Sequence, residues 1–475
     1  MKIIIIGAGI AGTSTYLHLT KHLPAPPSPS APHTITIYES HRPRASPSPS
    51  PSSTTPTPLA TTTPPDEPSA TAIVGGGLGV APNGMRVLAQ LSPALRDRVR
   101  AQGFPCEHFT FRAARGWKLA CVPLADDRVP GEVCVASSRE GLWRILWEEV
   151  GSKGGAGAVR YRRVTGVELG ADGRVVVRFE GREAGEEGVV GEESADLVVG
   201  ADGVWSSVRK TLFGDGFAPK YTGLAGIGGF INKPLPEEVV KDKSMVFTFG
   251  RNGFFGYGSV GPAETNNMMW WSTYQSATVP NRKILDAAAV KKQLQDRHRN
   301  WKDPVIQDII KTVDFDSINP TWTTPPLPHW GEKGLVLIGD SCHALPPTSG
   351  QGASQALEDS LTFSLALAHY LSKCYDSGDG TERDALEAAT KVYYEVRQPR
   401  VQEIAVAAER MDGNKKDMGF VMEMILYGFI WLVSKYPWIM KMMAGDVNGR
   451  LYSWKAEEVV HKTVAKKDTA SATAA

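Results

Sequence analysis

Little in this chain points to metal or disulfide chemistry. Its five cysteines (Cys106, Cys121, Cys134, Cys342, Cys374) include no C-x-x-C pair, and no histidines cluster at zinc-finger spacing. Zinc is not expected, and an odd number of scattered thiols predicts free cysteines in a reducing, cytoplasmic compartment. Net charge is also lacking, since Lys+Arg 52 against Asp+Glu 51 leaves +1. That balance argues against a dominant nucleic-acid-binding face, which would be visibly basic. No uninterrupted apolar run reaches about 18 residues, so no spanning helix is expected. The first apolar run, Ile3 to Ile6, is too short for a signal peptide and passes directly into glycines. No internal repeat is visible.

What is present starts at once. Residues 2–6 (KIIII) read as a buried strand, followed by GAGIAG at 7–12 and a helix presenting Tyr16, Leu17 and Leu19 to a sheet. A second strand, Thr34–Tyr38, ends at Glu39. Gly7, Gly9 and Gly12, with Ala11 between them, permit a tight turn, close approach of a pyrophosphate, and close helix–strand packing. The helix N-terminus then faces the phosphates. Glu39 lies 27 residues after Gly12, against an expected spacing of about 20. The proline-rich connection at 24–32 supplies the excess. Glu39 is placed to accept hydrogen bonds from ribose hydroxyls, which disfavours a 2′-phosphate there.

Fourteen of the 33 prolines fall in the 45 residues from Pro24 to Pro68, mixed with Ser, Thr and Ala. The part from 43 to 70 has almost nothing to bury and reads as a disordered or polyproline-like surface insertion. Order resumes with AIVGGGLGVAPNGMRVL (72–88): a strand, a glycine turn through Gly76 and Gly77, and a helix starting near Pro82. Two further buried strands end in acid–glycine pairs. One runs from Asp196 into Asp202-Gly203. The other, from Gly334, ends in Gly339-Asp340 and leads through Pro347 into Gly350-Gln351-Gly352-Ala353 at a helix start. A carboxylate at a strand end can hold a ribityl hydroxyl, and free N–H groups at a helix start can stabilise an electron-rich ring edge.

These three motifs, in this order and at this spacing, resemble the class A flavoprotein aromatic hydroxylases, the single-component FAD monooxygenases related to para-hydroxybenzoate and salicylate hydroxylases. The resemblance covers roughly residues 1–410, with secondary matches at 75–88, at Arg139 before a helix, and at YYEVRQPRV (393–401). It implies an α/β fold: a Rossmann-like, doubly wound FAD-binding sheet, a mixed or antiparallel substrate sheet, and C-terminal helices. It implies that Gly7, Gly9, Ala11 and Gly12 hold the FAD pyrophosphate, Glu39 its ribose, and Gly76, Gly77 and Arg139 the stretch beyond. Asp340 would hold the ribityl or pyrophosphate region. Pro347 and Gly350–Ala353 would lie by the isoalloxazine, and Asp202-Gly203 would serve FAD and NAD(P)H. The implied reaction is hydroxylation or epoxidation of an aromatic or polycyclic metabolite by NAD(P)H and O₂, through a flavin C4a-hydroperoxide. The composition suggests a place in secondary metabolism. A related FAD-dependent reductase, dehydrogenase or halogenase, and a non-catalytic FAD-binding protein, are the alternatives, although the WxWxIP motif of halogenases is absent.

The expected organisation is an FAD-binding part at 1–218 and 315–410, a substrate part at 219–314, a helical extension at 411–465, and a disordered tail at 466–475. Phe247, Phe249, Phe254, Tyr257, Trp270 and Tyr274, on glycine- and aromatic-rich strands, are the expected substrate wall, or else ordinary core. No general base stands out. His343 reads as structural and Cys342 as a small buried thiol, while Arg209 is open between an NAD(P)H contact and a carboxylate pair. Segment 419–445 holds a ten-residue apolar run, Met424–Val433, together with Glu423, Lys435 and Lys441, and Pro437 interrupts it. It reads as helices that pack on the catalytic part or on a second subunit, that rest on a lipid surface, or that span one. Partners are a small-molecule substrate and O₂, and the protein is read as a monomer or homodimer.

Overall fold

A computed structural model describes residues 1–42, 76–124, 132–183, 185, 187–280, 286–313, 318–378 and 380–474. The insertion expected at 43–70 lies outside the described residues. The first sheet is centred on Lys2–Ile6, which pairs in parallel with Thr34–Glu39 on one side and Leu197–Gly200 on the other. Leu335–Leu337 continues the parallel order beyond Leu197–Gly200. Lys2–Ile6, Leu197–Gly200 and Leu335–Leu337 are apolar runs buried on both faces, as a sheet covered by helices on each side demands. Val159–Leu169 extends the sheet in parallel from Thr34–Glu39 and then folds back antiparallel through Val175–Gly181 and Val190–Ala195.

Helix Ile10–His22 packs against the long helix Gly352–Ser377, which packs in turn on Glu382–Asp412. The latter starts with a reciprocal cap between Thr381 and Asp384. A three-stranded sheet, Gly77–Val80, Cys134–Ser138 and Phe104–Cys106, joins this body to a second, seven-stranded sheet.

The second sheet is largely antiparallel and takes strands from outside the range 219–314. His108–Ala113 and Lys118–Pro123 form one edge and Asn319–Thr323 the other. The second sheet is therefore built from three stretches of chain. The parallel pairing of His108–Ala113 with Ser244–Gly250 fixes that assignment.

The C-terminal region also departs from expectation. Helix Ala456–Ala474 runs through the tail expected to be disordered. Its Ala456, Val460 and Val464 enter the core of the first body. Asp468 pairs with Lys373 at 2.5 Å and His369 at 3.0 Å, and Lys467 pairs with Glu395 at 2.9 Å. The apolar i, i+4 stripe and these partners order a segment whose composition alone suggests none.

Candidate cofactor and substrate site

The glycine turn divides its work between packing and space. Gly7 has φ 100°, and a Cβ there would stand 2.5 Å from the Ala201 carbonyl oxygen. A Cβ on Gly12 would stand 1.9 Å from the Gly7 carbonyl oxygen. Both positions therefore exclude side chains for reasons internal to the fold. Gly9, by contrast, caps helix Ile10–His22 and has no other atom within 4 Å of an added Cβ. The same holds for Gly76, Gly203, Gly350 and Gly352. These bare positions leave room beside the backbone at each of the predicted motifs, which is what an extended dinucleotide requires. Gly77 is different: a Cβ there would meet the Met269 sulfur at 1.9 Å, so it serves close contact with the second sheet.

Glu39 is held against the turn. Its carboxylate accepts from the Ala8 amide at 2.8 Å and the His41 amide at 3.0 Å. Burial works to raise its pKa, but the hydrogen bonds from His41 and Ala8 outweigh that and hold it below the usual carboxylate range. Trp143 fixes the other side by donating to the Ala8 carbonyl at 2.7 Å. Arg139 opens its helix immediately after the Ser138 cap, and its amide donates to the Gly76 carbonyl at 3.3 Å. Its guanidinium has no hydrogen-bond or ion-pair partner among the described residues. Ala11 lies beside Gly339, where an added Cβ would come within 3.1 Å of it. That contact puts the Gly339-Asp340 motif next to the glycine turn.

Other predicted residues have structural tasks. One Asp202 oxygen caps helix Ser207–Phe213 by accepting from the Ser207 and Val208 amides at 2.7 and 3.3 Å, while the other oxygen is buried without a protein partner. Arg209 has no carboxylate ion-pair partner among the described residues, and it does not point free. It donates to the Val204 and Ser341 carbonyls at 2.5 and 2.7 Å, tying two predicted motifs together.

His343 sits 2.5 Å from Asp359, whose other oxygen accepts from Arg397 at 2.8 Å. Burial would lower this imidazole, yet Asp359 raises it well above its ordinary value. Cys342 donates to the Gly339 carbonyl at 3.1 Å, and burial pushes its thiol up. Cys342, His343 and Asp359 stand close enough to suggest a metal set. The carboxylate, however, is already engaged by Arg397 and the Gly339 amide. Arg397, Arg400 and Glu358 extend this buried network to Asn83, which donates to Gln351 at 3.1 Å. Gln351 is thereby drawn inward, leaving Pro347, Gly350, Gly352 and Ala353 to present the loop's backbone.

The second sheet settles which aromatics face which way. Tyr257, Trp270 and Tyr274 point away from the cofactor body into a core with helices Ala287–His298 and Pro304–Thr312. They are core residues of this cluster, one of the two readings that the sequence leaves open. Phe247, Phe249 and Phe254 lie on the other face, with Phe109, Phe111 and Trp271. The pairing explains Trp271. It lies opposite Gly256, where a Cβ would meet its ring at 2.3 Å, so the glycine lets the indole lie flat on the strand. Trp271, Phe109 and Phe111, which the sequence did not single out, share the face of Phe247, Phe249 and Phe254.

The end of helix Glu382–Asp412 reaches this face. The following turn, Gly413–Lys415, buries the Lys415 ammonium 4.8 Å from the Phe254 ring centroid. The ammonium donates to Thr348, in the loop of Pro347, at 2.5 Å and lies 3.7 Å from Asp412. Beyond it, helix Phe420–Lys435 lies across strand Lys118–Pro123. Tyr427 accepts from the Ala114 amide at 3.1 Å, and its hydroxyl lies 2.7 Å from the Phe249 carbonyl oxygen.

The FAD-binding domain family matches residues 67–395. The chain belongs to that family. It is 34% identical over 191 residues to a chloroplastic zeaxanthin epoxidase of Spinacia oleracea, a match covering 38% of this chain and 26% of the relative. It therefore spans about a quarter of the length of that relative. An aurachin C monooxygenase/isomerase of Stigmatella aurantiaca is 27% identical over 302 residues, covering 63% of this chain and 73% of the relative. The fold is shared with Klebsiella pneumoniae HpxO, solved with FAD and uric acid, at TM-score 0.70 and 20% identity over 95% of this chain and 98% of that one. The open glycine cradle, the pinned Glu39 and the Arg139 guanidinium, which has no partner among the described residues, fit the cofactor that the family name specifies.

Proposed function

We propose that this FAD-binding protein is a monooxygenase that uses NAD(P)H and O₂ to hydroxylate or epoxidise an aromatic or polycyclic, largely apolar small molecule. The observation that carries this reading is the apposition of two surfaces. The Pro347–Gly352 loop closes the cofactor cradle, and the aromatic front of the second sheet meets it through Thr348, Lys415 and Phe254. Bound FAD supplies acceptance of hydride from NAD(P)H and activation of O₂. The chain's part is to bind, orient and keep dry. Gly9, Gly76, Gly203, Gly350 and Gly352 leave room for the cofactor, while Glu39 and Arg139 take its ribose and phosphates. The half-buried Phe109, Phe111, Phe247 and Trp271, backed by the buried Phe249 and Phe254, offer an apolar wall that excludes water and stacks an aromatic substrate.

The test is O₂ uptake by the FAD-loaded protein with NADH or NADPH, with and without a panel of phenolic and polycyclic compounds. Uptake stimulated by a panel member supports the reading. Oxidation of NAD(P)H with reduction of a panel member and no O₂ uptake moves the assignment to a reductase. Bound FAD that no donor reduces moves it to a non-catalytic binding protein.

The same reading includes a lipid surface. No described helix is long and apolar enough to cross a membrane. Helix Phe420–Lys435 nevertheless turns its polar stripe inward. Glu423 and Tyr427 are 3% exposed, while Val421 is 70%, Phe429 42% and Trp431 52% exposed. The next helix, Pro437–Ala444, adds Trp438, Met442 and Met443. The exposed charges of this pair, Lys435 and Lys441, are both positive, and its acid, Glu423, is buried on Arg115. Outward aromatics with lysines suit the boundary of an anionic bilayer, from which an apolar substrate can be taken.

A further inference from the structure

Among the described residues, Lys415 is the one buried lysine, 7% exposed. A buried Lys–Asp pair adds little net stability, because desolvation of both charges offsets their attraction. Its presence at the junction of the flavin-side loop and the aromatic wall therefore calls for another account. The pair is not closed. Nζ is 3.7 Å from Asp412, and the Asp412 carboxylate is instead the acceptor of the Thr348 hydroxyl proton. An ammonium has three protons to donate. Thr348 is the one hydrogen-bond acceptor within reach among the described residues. One face of the cation rests on the Phe254 ring, which itself stands among Phe247, Phe249 and Trp271. A ring stacked on that wall would bring a substituent to the ammonium, in surroundings where a charge-assisted hydrogen bond is strong.

We propose that Lys415 is the anion-recognising residue of the substrate chamber, so that the preferred substrate is an apolar ring system carrying an ionised oxygen: a carboxylate, phenolate or enolate. This rests on reading the front of the second sheet as the substrate wall. Asp412 tempers the cation and keeps it from being satisfied by solvent anions, and Thr348 aims it.

The test is equilibrium binding of 2-naphthoate and its neutral isostere 2-naphthamide to the full-length, FAD-loaded protein, followed by equilibrium dialysis. Wild type is expected to hold the anion at least tenfold tighter than the amide. Lys415→Met should abolish that preference while leaving amide affinity within a factor of about three. Asp412→Asn should move the preference the other way and tighten naphthoate, because it leaves the cation unopposed. FAD content and melting temperature report whether each variant is folded. If Lys415→Met does not fold, Asp412→Asn decides the matter alone. The proposal is overturned if wild type shows no preference for the anion, including by taking up neither probe. It is also overturned if Lys415→Met keeps the preference, or if Asp412→Asn fails to strengthen it. Binding is read without turnover, so failure of oxygen insertion leaves this result intact. A charge preference in a protein that does not consume O₂ would leave Lys415 in place and move only the reaction assigned to the chamber.

Discussion

The sharpest consequence of the glycine geometry is that Gly9 and Gly12 should fail differently when mutated to alanine. Gly9 has φ −69° and ψ −173°, which any residue adopts, and an added methyl meets no protein atom within 4 Å. Gly9→Ala should therefore change the stability of the cofactor-free protein by no more than about 0.5 kcal/mol. The methyl does occupy the space beside the helix N-terminus where a phosphate must approach. Loss of one charge-assisted hydrogen bond there costs about 1.5–3 kcal/mol, or about 10–100-fold in FAD affinity. Gly12 presents the opposite case. Its added methyl would stand 1.9 Å from the Gly7 carbonyl oxygen, which is backbone and cannot swing aside. The strand–helix packing must open, at about 1–3 kcal/mol. Urea unfolding of both apoproteins gives the stability arm, and FAD fluorescence titration gives the affinity arm. The reasoning is refuted if Gly9→Ala destabilises the apoprotein as much as Gly12→Ala does while binding FAD normally.

Three other perturbations follow from the same geometry. Arg397→Met leaves Glu358 and Asp359 buried without their shared cation and should cost about 3–5 kcal/mol by urea titration; a loss under about 1 kcal/mol would contradict the network. Arg397→Lys should not restore it, since a single ammonium lacks the fork that reaches both carboxylates. The His343–Asp359 pair adds stability that is complete below the unfolded histidine value of 6.5 and is lost as pH rises through the raised folded value. His343→Gln should thus trail wild type at pH 6 and approach it at alkaline pH, and a gap that widens with pH in denaturant midpoints would reverse the assignment. Trp438→Ser with Met442→Ser should weaken binding to phosphatidylserine-containing vesicles at least tenfold, from about 1.5–3 kcal/mol per apolar side chain withdrawn. Wild type that fails to sediment with such vesicles would remove the lipid surface from the account.

The parallel-sheet half of the molecule was legible because its turns are dictated by backbone geometry. A tight turn, a close approach and a helix start each demand glycine at set spacing, so Gly7, Gly9 and Gly12 could be read without coordinates, as could Glu39 closing the next strand. The second sheet was less so, because period two tells that side chains alternate but not which phase faces the first body. That is why Trp270, Tyr257 and Tyr274 were grouped with Phe247 and Phe249, although the register sends them to opposite faces. The glycines at 256 and 258 carried the missing signal, since a strand that empties one face makes room there for Trp271 and Met245. Lys415 lay beyond any local pattern. Its neighbours Thr348 and Phe254 stand 67 and 161 positions away, and only the fold brings them together. The last helix was misread for a related reason, as its order comes from Lys373, His369 and Glu395 on other helices.

The central claim is that the cofactor cradle and the aromatic wall together serve the insertion of one oxygen atom from O₂ into an organic substrate. Mass spectrometry of the product formed under ¹⁸O₂ by the FAD-loaded protein, with NAD(P)H and a ring compound that stimulates uptake, tests it most directly. The account predicts one ¹⁸O per product molecule and one NAD(P)H oxidised for each. A product that carries no ¹⁸O, or is reduced rather than oxygenated, would contradict it.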